Sequence, residues 1–561
     1  MPARLLGIFG ATALVASTSL FSTAHAQADR VEPAAALIQP WESGEQPGVA
    51  VALSIDGEII FAQGAGLANL EHERPITPDT PFQVASVSKQ FTTFATLLLV
   101  SDGTLALEDD VRRLIPELDH LPYPITVAHL IDHASGLREI ANLTAMSGLL
   151  NDDIRTQDLI LDLIYRQRGV NFEAGTDTAY NNSGYILLAE IVTRVSGQSF
   201  QDFTQERIFT PLGMTNTRFP ENRNQVIPGR AESYYPTGDG FNRVIAANGH
   251  YGSTGLYTTA NDLLLWAENF RTGTVGNDDV FEMMEERFTA PNGAYSTFAR
   301  GQEYRVYNGL ETWSHGGQDA GFRSFLLRVP EHDFALSIVS NRTDFDTAAL
   351  AFALVDTYLA DVDDYVPAQT ADWAVADQST LRSFEGNYEI YPGLIMSFAA
   401  MDDGLGFRMG VEDSTEFVPL PQVGERRFML NSARDISVEF APIEGDRSPG
   451  VDYVIGLNGR LPGERIYLPS LPDGHSNLGD FVGVYESDEV ATAYAVTLTD
   501  GQLTVTHVRT GSFPLVPMMP DVFTGAESAL HKLEFHRDET GEVIGFLAST
   551  QIAHDVEFVR R

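Results

Sequence analysis

A short pattern recurs in the last third of the chain. Leu381-x-x-Phe384-x-Gly386-x-Tyr388 returns as Leu478-x-x-Phe481-x-Gly483-x-Tyr485, from 381 to 478, an offset of 97 residues. Each copy is followed by short alternating apolar segments divided by Gly and Pro turns, which reads as two successive all-β units. A unit of under about 100 residues is the size of a small closed barrel, and closure hides the sheet edges that an isolated meander would expose. The repeat therefore predicts two barrels, 378–475 and 476–561. The chain has 561 residues, too many for one core and enough for three or four domains of about 150 residues. What precedes the repeat must bury a core of its own. Asp361, Asp363, Asp364 and Pro367, then Ala, Gln and Thr, mark a linker over 366–377.

The front region opens with Val49, Val51, Leu53 and Ile55, then Asp56-Gly57, then Ile59 and Phe61. That is period-two alternation around a hairpin turn. Apolar spacing near 3.6 with Gly or Asp punctuation predicts helices at about 86–100, 127–133, 157–165, 184–195 and 259–270. A second hairpin follows, with Phe325, Leu327 and Val329 on one arm, a turn over 330–333, and 334–339 on the other; a helix over 347–359 ends the region. Strands first and last with helices between predict an α+β domain over 27–365, one antiparallel sheet whose ends meet, covered by helices.

Arg4, the apolar run from Leu5 to Phe21 and the small-x-small triplet Ala24-His25-Ala26 predict a signal peptide over 1–26, cleaved after Ala26. The run is too short and too interrupted to anchor in a bilayer. The expected location is periplasmic or secreted, with no stable membrane anchor. With 36 Lys plus Arg against 77 Asp plus Glu, the formal charge of −41 argues against nucleic acid as a partner. The absence of Cys removes disulfides, thiolate metal sites, cysteine nucleophiles and lipid attachment through Cys.

Chemistry concentrates in three segments. In Ser86-Val87-Ser88-Lys89 the serine and lysine are three apart at a helix start and share a face. Ser86 could simply cap the helix, but a capping box calls for Glu or Gln three residues on, whereas here a cation stands where the helix dipole disfavours it. Lys89 and Lys532 are the two lysines of the chain, Arg having taken the other basic positions. Unlike Arg, a desolvated Lys near a helix N-terminus can lose its proton and act as a base on a neighbouring hydroxyl. In Tyr180-Asn181-Asn182-Ser183-Gly184, Tyr180 offers a proton-shuttling hydroxyl and Asn182 a carboxamide for a substrate amide; the plainer reading is a polar turn with an N-cap. In His315-Gly316-Gly317, beside Trp313 and Gln318, the glycines would let a substrate backbone lie against a strand; the plainer reading is a turn.

In this order the three segments resemble the S-x-x-K, Y-x-N and (K/H)-x-G motifs of the serine β-lactamase and penicillin-binding protein superfamily. Residues 125–137, Ile-Thr-Val-Ala-His-Leu-Ile-Asp-His-Ala-Ser-Gly-Leu, and Gly252-Ser253-Thr254-Gly255-Leu256 with Thr259 and Asp262 resemble stretches of its class C and carboxypeptidase-like branch. The resemblance covers about 45–360 and implies an antiparallel sheet flanked by helices, with a helical insert. It implies Ser86 as acylated nucleophile, Lys89 as its base, Tyr180 as proton carrier to the leaving group, Asn182 as orienter of the substrate amide, and the N–H groups of Ser86 and Gln318 as oxyanion hole. His315 and Gly317 would line the opposite wall. His in place of the usual third-motif Lys holds a substrate carboxylate less firmly. This disfavours penicillin hydrolysis and favours the carboxypeptidase, aminopeptidase or esterase branches.

A domain of this type followed by two barrels resembles the D-stereospecific aminopeptidases. The expectation is therefore a serine hydrolase acting through an acyl-enzyme on amide bonds of D-amino-acid peptides, as a D-aminopeptidase or D-Ala carboxypeptidase. An esterase using the same Ser86 and Lys89, and a non-catalytic binding protein on this fold, stay open. The partners expected are a small peptide, amide or ester and, at most, a second copy in a homodimer. His129 and His133, four apart around Asp132, loosely resemble an inverted zinc motif, but Asp replaces the usual Glu and the third ligand is unidentified; no metal or cofactor is expected.

Overall fold

A computed structural model describes residues 31–42, 44–291, 298–367, 375–410, 416–431, 436–455, 459–467, 477–525 and 529–561. The expected signal peptide and most of the expected linker lie outside them. The chain forms two compact units: Met1–Leu105 with Val192–Glu286 and Ala299–Pro367, and Ala106–Ile191 with Arg287–Phe298 and Ala368–Arg561.

The first unit is built on a seven-stranded sheet. Its strands are β1 (Val49–Ile55), β2 (Glu58–Ala65), β3 (Phe298–Ala299), β4 (Gln302–Tyr307), β5 (Leu310–Asp319), β6 (Phe322–Val329) and β7 (Phe334–Ser340), in the order β3-β4-β5-β6-β7-β1-β2. The predicted meeting of the ends is the β1–β7 ladder, in which Val49 faces Ser340 and Ile55 faces Phe334. Asp56 and Gly57 both have positive φ, 55° and 75°, as a tight hairpin between twisted strands requires. The strand β1 is buried from Val49 to Ser54. Val49, Val51 and Leu53 pack in the core cluster with Leu350, Leu354 and Val355 of the helix Thr347–Leu359. On the alternate face, with the small residues Ala50, Ala52 and Ser54, the Ser54 hydroxyl donates to Glu268 of the helix Ala260–Thr272 at 2.6 Å. Small side chains let a second helix cover the sheet.

The helices 157–165 and 347–359 fall where the pattern puts them, each started by a side chain: Thr156 accepts from Leu159 N–H and Asp346 from Ala349 N–H. The second unit contains both β copies. The second closes as an eight-stranded barrel, Tyr485 pairing with Arg560 and Glu486 with Val559. The first is an eight-stranded antiparallel sheet running from Val418–Leu420 to Arg427–Asn431. It is a near-barrel: those end strands meet through a turn, with a Gln422–Phe428 bridge and Met429 N–H donating to Pro421 O at 2.8 Å. The repeated residues play the same part in each copy. Tyr388 donates to Phe384 O (3.0 Å) and Tyr485 to Phe481 O (2.7 Å). A Cβ on Gly386 would collide with Arg465, and one on Gly483 with Arg560, two arginines from the last strand of their copies.

Candidate active site

From Thr80 to Leu99 Ser86 is the one residue that is not buried. Residues 85–87 form a single 3-10 turn, and the α-helix begins at Ser88 and runs to Ser101. The helix N-cap is Val87, and neither helix start carries a side-chain cap, so Ser86 is not there to cap a helix. The preceding Ala85 sits at φ +46°, a left-handed conformation that costs a non-Gly residue free energy and occurs preferentially at functional sites. Ser86 is thus half-buried on a strained turn whose neighbours are all buried.

Lys89, 0% exposed, brings Nζ to 3.1 Å from Ser86 Oγ and donates to the Ser253 carbonyl at 2.9 Å. Segment 252–256 is tied to this helix at further points: Thr92 donates to Gly252 O at 2.7 Å, Leu256 N–H to Ser88 Oγ at 3.2 Å, and Val84 N–H to Leu256 O at 3.0 Å. Sequence reading had noted this Gly-Ser-Thr-Gly-Leu stretch only as a likeness, without the role of its carbonyl.

The third segment lies on β5, where His315, Gly317 and Gln318 face Leu326, Ser324 and Arg323 of β6; it is strand and not turn. A Cβ on Gly317 would stand 2.3 Å from Val84 O and 3.2 Å from the Ala85 Cβ, so glycine is what lets the strand close on the residues just before Ser86. Ser324 Oγ donates to Val84 O at 2.8 Å and locks that approach. His315 is buried, and its Nδ1 lies 2.6 Å from Gly316 O, so Nδ1 carries the proton of the neutral ring. Burial pushes its pKa down to about 4, against the opposing pull of Glu303.

In the second unit Asn182 opens the helix Asn182–Ser196. Glu139, absent from the sequence-derived site, holds it twice: Asn182 N–H donates to Oε2 at 2.6 Å and Nδ2 to Oε1 at 2.7 Å. A carboxylate can only accept, so the amide is turned with Nδ2 toward Glu139, leaving Oδ1 as the acceptor on the other side. Asn181 Nδ2 donates to Leu137 O at 2.7 Å and Ser183 Oγ to Arg138 O at 2.7 Å. Tyr180 packs between the rings of His133 (4.7 Å) and Phe298 (4.9 Å). The histidines of the zinc-like stretch are otherwise engaged. His129 Nδ1 accepts from Thr126 N–H in a capping box, and His133 Nδ1 accepts from Asn181 N–H at 2.9 Å. Among the described residues there is no group of three His, Cys, Asp or Glu able to hold a metal.

The sequence matches the Beta-lactamase family over residues 34–359, more than half of the chain. The chain belongs to the Beta-lactamase family. This Beta-lactamase-family chain, as its ordered motifs implied, thereby joins the serine hydrolases related to penicillin-binding proteins. It is 28% identical over 295 residues to a D-aminopeptidase of Gluconobacter oxydans (strain 621H), covering 53% of this chain but only about half, 56%, of that protein's length. It is 24% identical over 535 residues to a D-aminopeptidase of Brucella ovis, covering 92% of this chain and 96% of that one. The octameric penicillin-binding protein homologue from Pyrococcus abyssi shares the fold at 22% identity, with a TM-score of 0.55 over 77% of this chain and 99% of the other.

Proposed function

We propose that this protein is an exported serine hydrolase that cleaves amide bonds of D-amino-acid peptides from the N-terminal side, as a D-aminopeptidase. One observation carries the reading: a half-buried hydroxyl, Ser86, in an otherwise buried stretch, 3.1 Å from a fully buried lysine amine. An amine without bulk water loses the hydration that favours its ammonium form. Neutral, Lys89 keeps an N–H for the Ser253 carbonyl and has its lone pair for the Ser86 proton. Ser86 Oγ then attacks the amide carbon while its proton passes to the amine. Collapse breaks the C–N bond, the leaving amine takes a proton, and water hydrolyses the Ser86 ester to regenerate the hydroxyl. On the family resemblance Tyr180 carries the proton to the leaving group, Asn182 Oδ1 receives the substrate amide N–H, and the N–H groups of Ser86 and Gln318 stabilise the oxyanion.

His315 supports the aminopeptidase branch. A ring that stays neutral above about pH 4 offers no positive charge to a substrate carboxylate, which penicillins and carboxypeptidase substrates carry. An aminopeptidase substrate needs no such anchor. The D-aminopeptidase names of the relatives matched over 53% and 92% of this chain support the same branch. Steady-state turnover of D-Ala and L-Ala p-nitroanilides tests it. The reading expects D-Ala to be cleaved at least tenfold faster in kcat/KM; equal turnover removes the stereochemical claim, and turnover of p-nitrophenyl esters alone makes the protein an esterase.

A further inference from the structure

The second barrel is fastened to the segment that orients Asn182. Arg138, 3% exposed, pairs with Glu489 of that barrel, whose own exposure is 4%. Arg138 Nε donates to His554 O at 2.7 Å and Nη2 to Asp555 O at 2.9 Å. One residue on, Glu139 N–H donates to Ile552 O at 2.8 Å. Asn171 completes the grip: its Nδ2 donates to Ile552 O at 3.1 Å, and its Oδ1 accepts from His554 N–H at 3.0 Å. Residues 551–555 span the turn 551–552 between the last two strands, Val543–Thr550 and Ala553–Arg560, and the first residues of the last one.

The gripped segment is the one that sets the Y-x-N loop. Leu137 O receives Asn181, Arg138 O receives Ser183, and the Glu139 carboxylate receives Asn182 twice. A side chain meant to meet a substrate amide has to be held to within a fraction of an ångström, and it owes that to the groups behind it. Two of three consecutive residues behind Asn182 are bound by barrel groups more than 350 positions further along the chain. We propose that the segment 551–555 and Glu489 are a positioning device for Asn182, acting through Arg138 and Glu139, so that the second barrel is part of the amide-recognition apparatus and not an appended module. This rests on the proposed amidase reading for its kinetic consequence but not for its structural one.

Four proteins test it: wild type; Glu489→Gln, which leaves the arginine buried without its counter-charge; Glu489→Asp, which keeps that charge; and Asn171→Ala, which loosens the turn without stranding a charge and covers the case in which Glu489→Gln fails to fold. In each, hydrogen exchange of the 178–186 peptide is compared with that of 88–101, KM and kcat are measured on D-Ala p-nitroanilide, and Ser86 labelling is followed with a fluorophosphonate. The device predicts exchange in 178–186 faster by tenfold or more with 88–101 unchanged, KM for the anilide raised at least fivefold, labelling within twofold of wild type, and partial recovery in Glu489→Asp. Unchanged exchange at 178–186 in Glu489→Gln and Asn171→Ala overturns the proposal, as does a parallel loss of labelling and amide turnover, which would mean general destabilisation. If exchange responds but wild type cleaves no amide, the amidase reading fails and the positioning device stands.

Discussion

The serine-lysine segment and the tyrosine-asparagine segment are positioned by opposite means. Ser86 and Lys89 sit one turn apart in the sequence, with Ala85 at φ +46° before them and a buried helix behind, and segments 252–256 and 317–324 of the same unit hold that turn: Lys89 donates to the Ser253 carbonyl, and a glycine strand closes on Val84. Asn182 also heads a helix, but the groups that fix its amide are Glu139, 43 residues earlier, and, behind it, residues 489 and 551–555 of the last barrel. The nucleophile and its base are thus neighbours in the sequence, while the amide proposed to read the substrate depends for its orientation on a carboxylate from another stretch of the chain. Change at the first segment should abolish chemistry; change behind the second should alter recognition.

The largest effect is expected at the local segment. Lys89→Arg keeps the charge but cannot present a neutral nitrogen, and loss of one member of a nucleophile-base unit costs on the order of 10³-fold or more in kcat; stopped-flow or endpoint anilide assays would show it. Behind Asn182, Glu139→Gln should cost roughly ten- to a hundredfold in kcat/KM, because a carboxamide can turn its own N–H toward Asn182 and no longer dictates which way that amide faces. If kcat/KM falls by the same 10³-fold in both variants, the contrast between the two segments disappears. A smaller effect is expected of Gly317→Ala, whose Cβ would stand 2.3 Å from Val84 O. Overpacking of this kind costs about 1–3 kcal/mol, visible as a lowered Tm together with slower Ser86 acylation.

How much of this could be read in the residues follows the same division. The helices 157–165 and 347–359 were legible to the residue, because Thr156 and Asp346 announce their starts through a local hydrogen bond. The hairpin at Asp56-Gly57 was legible because two successive positive φ angles demand such residues. The 3-10 turn that takes Ser86 out of the α-helix was not, since nothing in the pattern foretells strain at Ala85. Small residues on one side of β1 concealed that both faces of the strand are covered. Glu139 was invisible for a different reason: it follows the Ser-Gly-Leu stretch that had been noticed, but its meaning comes from a partner brought near only by the fold.

The smallest effect concerns pH. His315 has a folded pKa of about 4 against an ordinary 6.5, so between those values the unfolded chain takes up a proton that the folded chain refuses. The stability this represents is fully present above about 6.5 and is lost progressively as pH falls toward 4. Thermal melts of wild type and His315→Asn should differ most near pH 7.5, with wild type the more stable, and converge or cross as the pH is lowered; a wild type no more acid-sensitive than the variant would place the titration elsewhere.

Acylation of Ser86 itself is the most direct test. Intact-mass and peptide mapping after exposure to a fluorophosphonate should find one added group, on the peptide containing Ser86, in wild type and a rate lower by about 10³-fold in Lys89→Arg. Labelling of a different residue, or equal rates in the two proteins, would contradict the account of a serine activated by a buried, neutral lysine.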